Sequence, residues 1–268
     1  MFFKNSPFIF VLALCALLSF NVQSTIVEIR TSLGIIEVNL FDNTTPATVA
    51  NFLSYANSGA YADSVVHRSV SNFVIQGGGF TYTGPVAVNS FSLDSISTGT
   101  PVANDPKLSN VRGTIAMAKT SNPDSATSQW FINLSNNANS LDVASNSGGF
   151  TVFGQVMGDG MQVVDAIAAL SLLNGGGAFS ELPIRSYTQT DVDNDVPITD
   201  DNLVVVSDIV VTDSAADTAA SLNPTPNTLI NTPTGGGDPV SSGGGGGAIG
   251  WLLLLGLAVL QRSRLIKS

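Results

Sequence analysis

The chain has 268 residues, 44% of them hydrophobic and only 11% charged, so it is long enough to bury a sizeable core and must solvate much of its surface with Ser, Thr, Asn and Gly. Twenty acidic residues stand against ten basic ones, and the only basic cluster is RSRLIK near the end, which argues against nucleic acid as a partner. The single cysteine, Cys15, lies in an N-terminal apolar run, so the chain beyond it can form no internal disulfide.

Residues 1–24 read as a secretory signal peptide. Lys4 leads, residues 8–20 are apolar, and Val22 and Ser24 suit a cut after position 24. Residues 25–214 are expected to fold as one domain. TIVEIRTSLGIIEVNLF reads as two strands around a turn at 32–34, the second with partial alternation. TTPATVANFLSYANSG, residues 44–59, reads as a helix capped by Thr45, with Pro46 in its first turn and Gly59 at its end. Short apolar runs follow: SVVHRSV, FVIQGG, GTIAMAK, SQWFINL, FTVFGQV and NLVVVSDIVVTD. A second helix is expected at 160–170. Short strands at fairly regular spacing with two helices predict an all-β domain, a closed barrel with helical caps.

In VVHRSVSNFVIQGGGF, residues 65–80, an arginine stands amid apolar residues beside the only histidine, His67. By position alone Arg68 reads as a paired or snorkelling residue. His67 has no second histidine or cysteine near it to make a zinc site, and no nucleophile motif to make a triad. Glycines 77–79 lack the Lys-Ser/Thr and helix of a phosphate loop, so a turn or bulge is expected. Asp191, Asp193 and Asp195 have calcium-loop spacing but lack its glycine and final glutamate, so 191–201 reads as a solvated loop.

Residues 215–247, AADTAASLNPTPNTLINTPTGGGDPVSSGGGGG, read as a disordered or extended spacer. Residues 248–260 are continuously apolar, and QRSRLIKS closes the chain. Thirteen residues make a helix of about 20 Å, short against a hydrocarbon core of about 30 Å unless glycines 243–247 extend it. Arg262, Arg264 and Lys267 place the far end in the cytoplasm and the domain outside. The Gly-rich motif at 243–247 with the apolar helix and basic end at 248–268 resembles the GlyGly-CTERM sorting signals of Gram-negative bacteria. That resemblance implies a sorting protease acting on the tail, and delivery to the periplasm or cell surface. A permanent single-pass membrane anchor is the plainer reading.

Five blocks of 25–214 occur together: ATVANFLSYANSGAY, VVHRSVSNFVIQGGGF, LSNVRGTIAMAKTSNPDSATSQWFINL, LD at 141–142 and FTVFGQVMGDGMQVVDAI. They resemble the cyclophilins, the peptidyl-prolyl cis–trans isomerases that bind cyclosporin, and bacterial members most. The resemblance implies a closed eight-stranded antiparallel β-barrel capped by two α-helices, monomeric and free of metal and cofactor. It implies proline-containing polypeptides as substrates. It gives Arg68 the catalytic role and makes Gln76 its support. Phe73, Val74, Ala118, Lys119, Gln129, Phe131, Leu141 and Phe150 become the substrate-binding set, with valine replacing the usual methionine at 74 and lysine a common asparagine at 119. His67 is peripheral. Ser140 stands where relatives carry an aromatic, so weak cyclosporin binding is expected. The competing class is a cyclophilin-like module that holds Pro-containing segments without turnover.

Overall fold

The computed structural model describes residues 25–214, 219 and 222–232. The expected signal segment and the apolar stretch 248–260 lie outside the described residues. Among those described, no helix is long and apolar enough to cross a membrane.

The strands are β1 (Ile26–Thr31), β2 (Gly34–Leu40), β3 (Ser64–Val65), β4 (Arg68–Val70), β5 (Val74–Gly77), β6 (Phe80–Thr81), β7 (Asp94–Ser95), β8 (Thr114–Met117), β9 (Trp130–Asn133), β10 (Val152–Val156), β11 (Ser171–Leu173), β12 (Leu182–Ile184) and β13 (Val205–Asp213). The helices are α1 (Pro46–Asn57), α2 (Ala138–Leu141), α3 (Gly160–Ala168) and α4 (Gln189–Asp193). The main sheet runs β4-β5-β9-β8-β10-β2-β1-β13-β3-β6-β7, and every pair in it is antiparallel. Only Val66 and His67 separate β3 from β4, and only Gly78 and Gly79 separate β5 from β6, yet the members of each pair lie toward opposite ends of that order. Two bent strands therefore join the ends of the sheet. Counting each bent strand once, and leaving out the two-residue β7, the order is the expected eight-stranded barrel.

The bend at 77–79 needs glycine. A Cβ on Gly77 would stand 2.8 Å from the Trp130 ring, and one on Gly78, whose φ is +74°, 2.7 Å from the Ser128 carbonyl oxygen. The glycines let the fully buried Trp130 lie against the backbone at the corner.

Successive side chains of a strand point to opposite faces, and the two faces of β5, β9 and β8 hold different clusters. Ile75, Trp130, Ile132, Ile115 and Met117 enter the main core, to which α1 gives Val49 and Phe52 and α3 gives Val164 and Ile167. Val74, Phe131 and Ala116 enter a second cluster with Phe41, Leu108, Leu141, Phe150 and Val152. A third gathers Val65, Phe91, Phe179, Leu182 and Ile184 beside the bent strands.

Three local expectations change. Thr45 precedes α1 but makes no side-chain cap; its hydroxyl donates to the Val152 carbonyl at 3.4 Å, because the residue is buried against β10. Asp191 and Asp193, expected in a solvated loop over 191–201, lie instead in the short solvent-facing helix α4, because Thr188 and Asp191 build a capping box. Residues 222–232, expected within an open spacer, lie along the domain. Ser109 N donates to Thr225 O, and Asn227 N to Lys107 O, both at 2.8 Å. Asn227 Nδ2 also donates to Pro106 O at 3.1 Å and Asp142 O at 3.0 Å. Pro224 and Pro226 preset the extended backbone, and Asn227 supplies the donors that composition alone did not reveal.

Candidate active site

Strand register places the site. Arg68 on β4 stands opposite Gln76 on β5, Gln76 opposite Phe131 on β9, and Phe131 opposite Ala116 on β8. A cation, an amide and an apolar ring thus lie in one row across adjacent strands, on the face of the second cluster. Period two brings in Val74 beside Gln76 and Gln129 beside Phe131. Leu141 comes from α2 and Phe150 from the stretch just before β10. Phe131 and Phe150 meet edge to face with centroids 5.8 Å apart.

Val74, Phe131, Leu141 and Phe150 are completely buried, whereas Phe73 and Ala118 are half-buried and pack against them. The apolar set is a floor covered at its rim. Lys119 forms part of the cover: its ammonium lies 4.2 Å from the centroid of the Phe150 ring and donates to Ser147 O at 2.6 Å. Burial lowers the Lys119 pKa to about 8, with Asp124 pulling weakly the other way. Ser147 lies in the segment 143–149 that leads from Asp142 to Phe150. Ser140 is half-buried, and its hydroxyl donates back to Asn137 O at the start of the same short helix at 3.0 Å.

The polar atoms of the row are unevenly satisfied. Arg68 Nε donates to Glu181 Oε2 at 2.9 Å. Gln76 Nε2 donates to Gln129 Oε1 at 2.8 Å. Arg68 Nη1 and Gln76 Oε1 are both buried and have no partner. The resemblance gave Gln76 two roles, a bond to the substrate backbone and support for Arg68; a direct bond to Arg68 would be the simplest form of that support. No such bond forms, because the Gln76 amide is turned to Gln129 and the carboxylate that holds the guanidinium is Glu181. Sequence reading missed Glu181, which is 113 residues from Arg68 in a segment without a motif. Arg68 Nη1 and Gln76 Oε1 are two of seven buried side-chain atoms without a partner among the described residues, the others belonging to Thr48, Ser64, His67 and Trp130. Here a donor and an acceptor lie on neighbouring strands beside an apolar floor, an arrangement that suits a ligand bearing both kinds of group.

A family model described as cyclophilin type peptidyl-prolyl cis-trans isomerase/CLD matches residues 26–189. The chain belongs to the cyclophilin-type peptidyl-prolyl cis–trans isomerases. It is 44% identical over 147 residues to a peptidyl-prolyl cis-trans isomerase of Acinetobacter baylyi, covering 54% of this chain and 72% of that one. Peptidyl-prolyl cis-trans isomerase A of Dickeya dadantii is 44% identical over 155 residues, 57% of this chain and 76% of its own. Isomerase B of Escherichia coli is 38% identical over 154 residues, 56% of this chain and 88% of its own. A crystal structure of a cyclophilin type isomerase from Cryptosporidium parvum superposes with a TM-score of 0.49 at 22% identity, covering 71% of this chain and 99% of the other.

In this cyclophilin His67 is a packing residue. It is fully buried, edge-on to Phe80 at 4.9 Å and to Phe179 at 6.4 Å between centroids. Burial lowers its pKa from 6.5 to about 4, and the adjacent Arg68 charge acts in the same direction. Among the described residues no group of three or more His, Cys, Asp or Glu is placed to hold a metal ion.

Proposed function

We propose that the row Arg68–Gln76–Phe131 is where this isomerase turns an X–Pro bond, and that it does so on exported polypeptides. The observation that carries the site assignment is the pair of buried, unpartnered polar atoms, Arg68 Nη1 and Gln76 Oε1, on adjacent strands above an apolar floor. Rotation about a prolyl bond faces a barrier of about 18–20 kcal/mol, because the nitrogen lone pair is shared with the carbonyl. A donor directed at the prolyl nitrogen draws that pair back as the nitrogen pyramidalises, and the bond approaches a single bond. Rotation breaks no covalent bond, so the task is orientation and charge. An arginine suits it, since the guanidinium stays charged when desolvated. In this reading Phe73, Val74, Phe131, Leu141 and Phe150 take the proline ring. Gln76 Oε1 accepts from the peptide backbone, Gln129 holds the Gln76 amide, and Ala118 and Lys119 form the edge along which the peptide lies. Lys119 moves off Phe150 as the ring enters.

Turnover of a proline-containing peptide by the full chain tests this. Arg68→Ala is expected to lower kcat/KM about 100-fold to 1,000-fold, the scale of losing one preorganised donor. A wild type that binds the peptide yet turns over no faster than Arg68→Ala makes the domain a binding module instead.

The finer role is help for folding outside the cytoplasm. Residues 1–24 would direct export, and 248–268 would anchor or sort the protein at the envelope. This rests on Lys4 before the apolar run 8–20, and on the apolar run 248–260 before Arg262, Arg264 and Lys267. Comparing envelope, surface and culture-fluid fractions with and without residues 243–268 tests it. An equal distribution of the two forms defeats the role given to the tail.

A further inference from the structure

The Arg68 guanidinium carries five N–H donors in one plane, so its value as a directed donor depends on which edge faces the slot. Its Nε is held by Glu181, with the arginine side chain 8% exposed and the glutamate 37%. Glu181 grips the same strand a second time: its backbone carbonyl accepts from Ser69 N at 2.8 Å. The residue is itself well placed. Phe179, two positions before it, packs tilted on Phe80 at 4.7 Å and edge-on to Phe91 at 5.1 Å between centroids. Leu182, which follows it, is fully buried in β12. The carboxylate is therefore carried on a short segment pinned at both sides.

We propose that Glu181 is a positioning residue for Arg68, taking Nε–H so that the Nη edge is presented to the peptide. The inference rests on the assignment of Arg68 as the working donor. Without an acceptor at Nε, the guanidinium is free to rotate about its Cδ–Nε bond toward the nearest open acceptor. Among open acceptors we take that to be Gln76 Oε1, which is on the residue directly opposite and has no partner. An internal Arg68–Gln76 bond would spend both groups the substrate needs. The contact to Glu181 keeps them apart and ready, and it explains how a buried Nη1 stays unsatisfied beside an unsatisfied oxygen.

The test uses the full chain carrying Glu181→Ala or Glu181→Gln, each alone and combined with Arg68→Ala. Glu181→Ala is expected to lower kcat about 10-fold to 100-fold with KM little changed, the signature of a misdirected group. Glu181→Gln keeps an acceptor for Nε–H and recovers most of the loss. In the Arg68→Ala background, Glu181→Ala costs nothing further. Full activity in Glu181→Ala, or an equal loss with and without Arg68, overturns the inference. Nitrogen-15 NMR of the Arg68 Nε–H follows the contact without turnover: slow solvent exchange in the wild type, fast in Glu181→Ala. Unchanged exchange in that variant also overturns it. A wild type no faster than Arg68→Ala defeats the catalytic assignment itself, an outcome the NMR signal separates from failure of the Glu181 contact.

Discussion

Two buried polar groupings flank the same apolar cluster, and they are built in opposite ways. Around Asp142 the accounts balance. Asp142 accepts from Ser109 Oγ at 2.5 Å, Asn110 N at 2.9 Å and Asn110 Nδ2 at 2.8 Å. Asn133 Nδ2 continues the chain to Thr114 Oγ1 at 2.9 Å, and Asn137 Nδ2 to Asn133 Oδ1 at 2.7 Å. Around Arg68 and Gln76, one donor and one acceptor are left open. A satisfied network fixes loops and strands in one arrangement; an open one holds interaction in reserve for a ligand. The difference alone does not mark a site, since Thr48, Ser64, His67 and Trp130 also carry buried side-chain atoms without a partner. The Arg68–Gln76 pair stands out because donor and acceptor lie on adjacent strands at the apolar floor.

Asp142→Ala offers the hardest test of that contrast. It strands two buried donors of Asn110 and one of Ser109, and is expected to cost about 3 kcal/mol or more in urea unfolding. A loss under about 1 kcal/mol would remove the distinction between the two groupings.

His67 lies behind the open grouping and gives a pH signature. Its folded-state pKa of about 4 is depressed below 6.5, so between those values the unfolded chain binds the proton more readily. Its contribution to stability is therefore complete above about 6.5 and is lost as the pH falls toward about 4, about 3 kcal/mol in all. His67→Leu should flatten that part of the stability curve in denaturant titrations across this range. A slope identical to wild type would show that other groups carry it.

Asn227→Ala removes the bonds that tie residues 222–232 to Pro106 and Asp142. We expect faster amide exchange in that strap and a global loss of about 1 kcal/mol. Protection equal to wild type would mean that the backbone pairing at 107–109 suffices alone.

The smallest expected change in stability is also the sharpest for function. Gln76→Met keeps the length of the side chain and removes both the open acceptor and the bond donated to the half-buried Gln129. Stability should stay within about 1 kcal/mol of wild type while turnover falls. A clear destabilisation would place Gln76 with the scaffold.

Much of this was legible in the sequence. The spacing of short apolar runs predicted the barrel, and the family resemblance alone named Arg68, Gln76 and Phe131, which strand register sets in one row. The rest depended on contacts between distant segments. Glu181 meets Arg68 only because Phe179 packs on the aromatic wall beside the bent strands. The Thr45 hydroxyl is drawn from the helix end by a carbonyl more than a hundred residues away. The strap was hidden by its composition, since Pro, Thr and Asn describe an open spacer as well as an edge that docks. Helix α4 was within reach: Thr188 with Asp191 three positions on is a capping signal, outweighed by a reading that looked for calcium.

The pairing of β1 with β13 sets a condition on how this molecule is made. Ile26 pairs with Asp213 and Glu28 with Val210, so the first strand cannot complete its ladder until the last has been synthesised. Contacts of such sequence separation form late and slowly. Until they form, one edge of the nascent sheet is open to other chains. A prolyl isomerase thus has a slow closing step in its own folding, and a truncation short of Asp213 should be an aggregation hazard before it is an inactive enzyme.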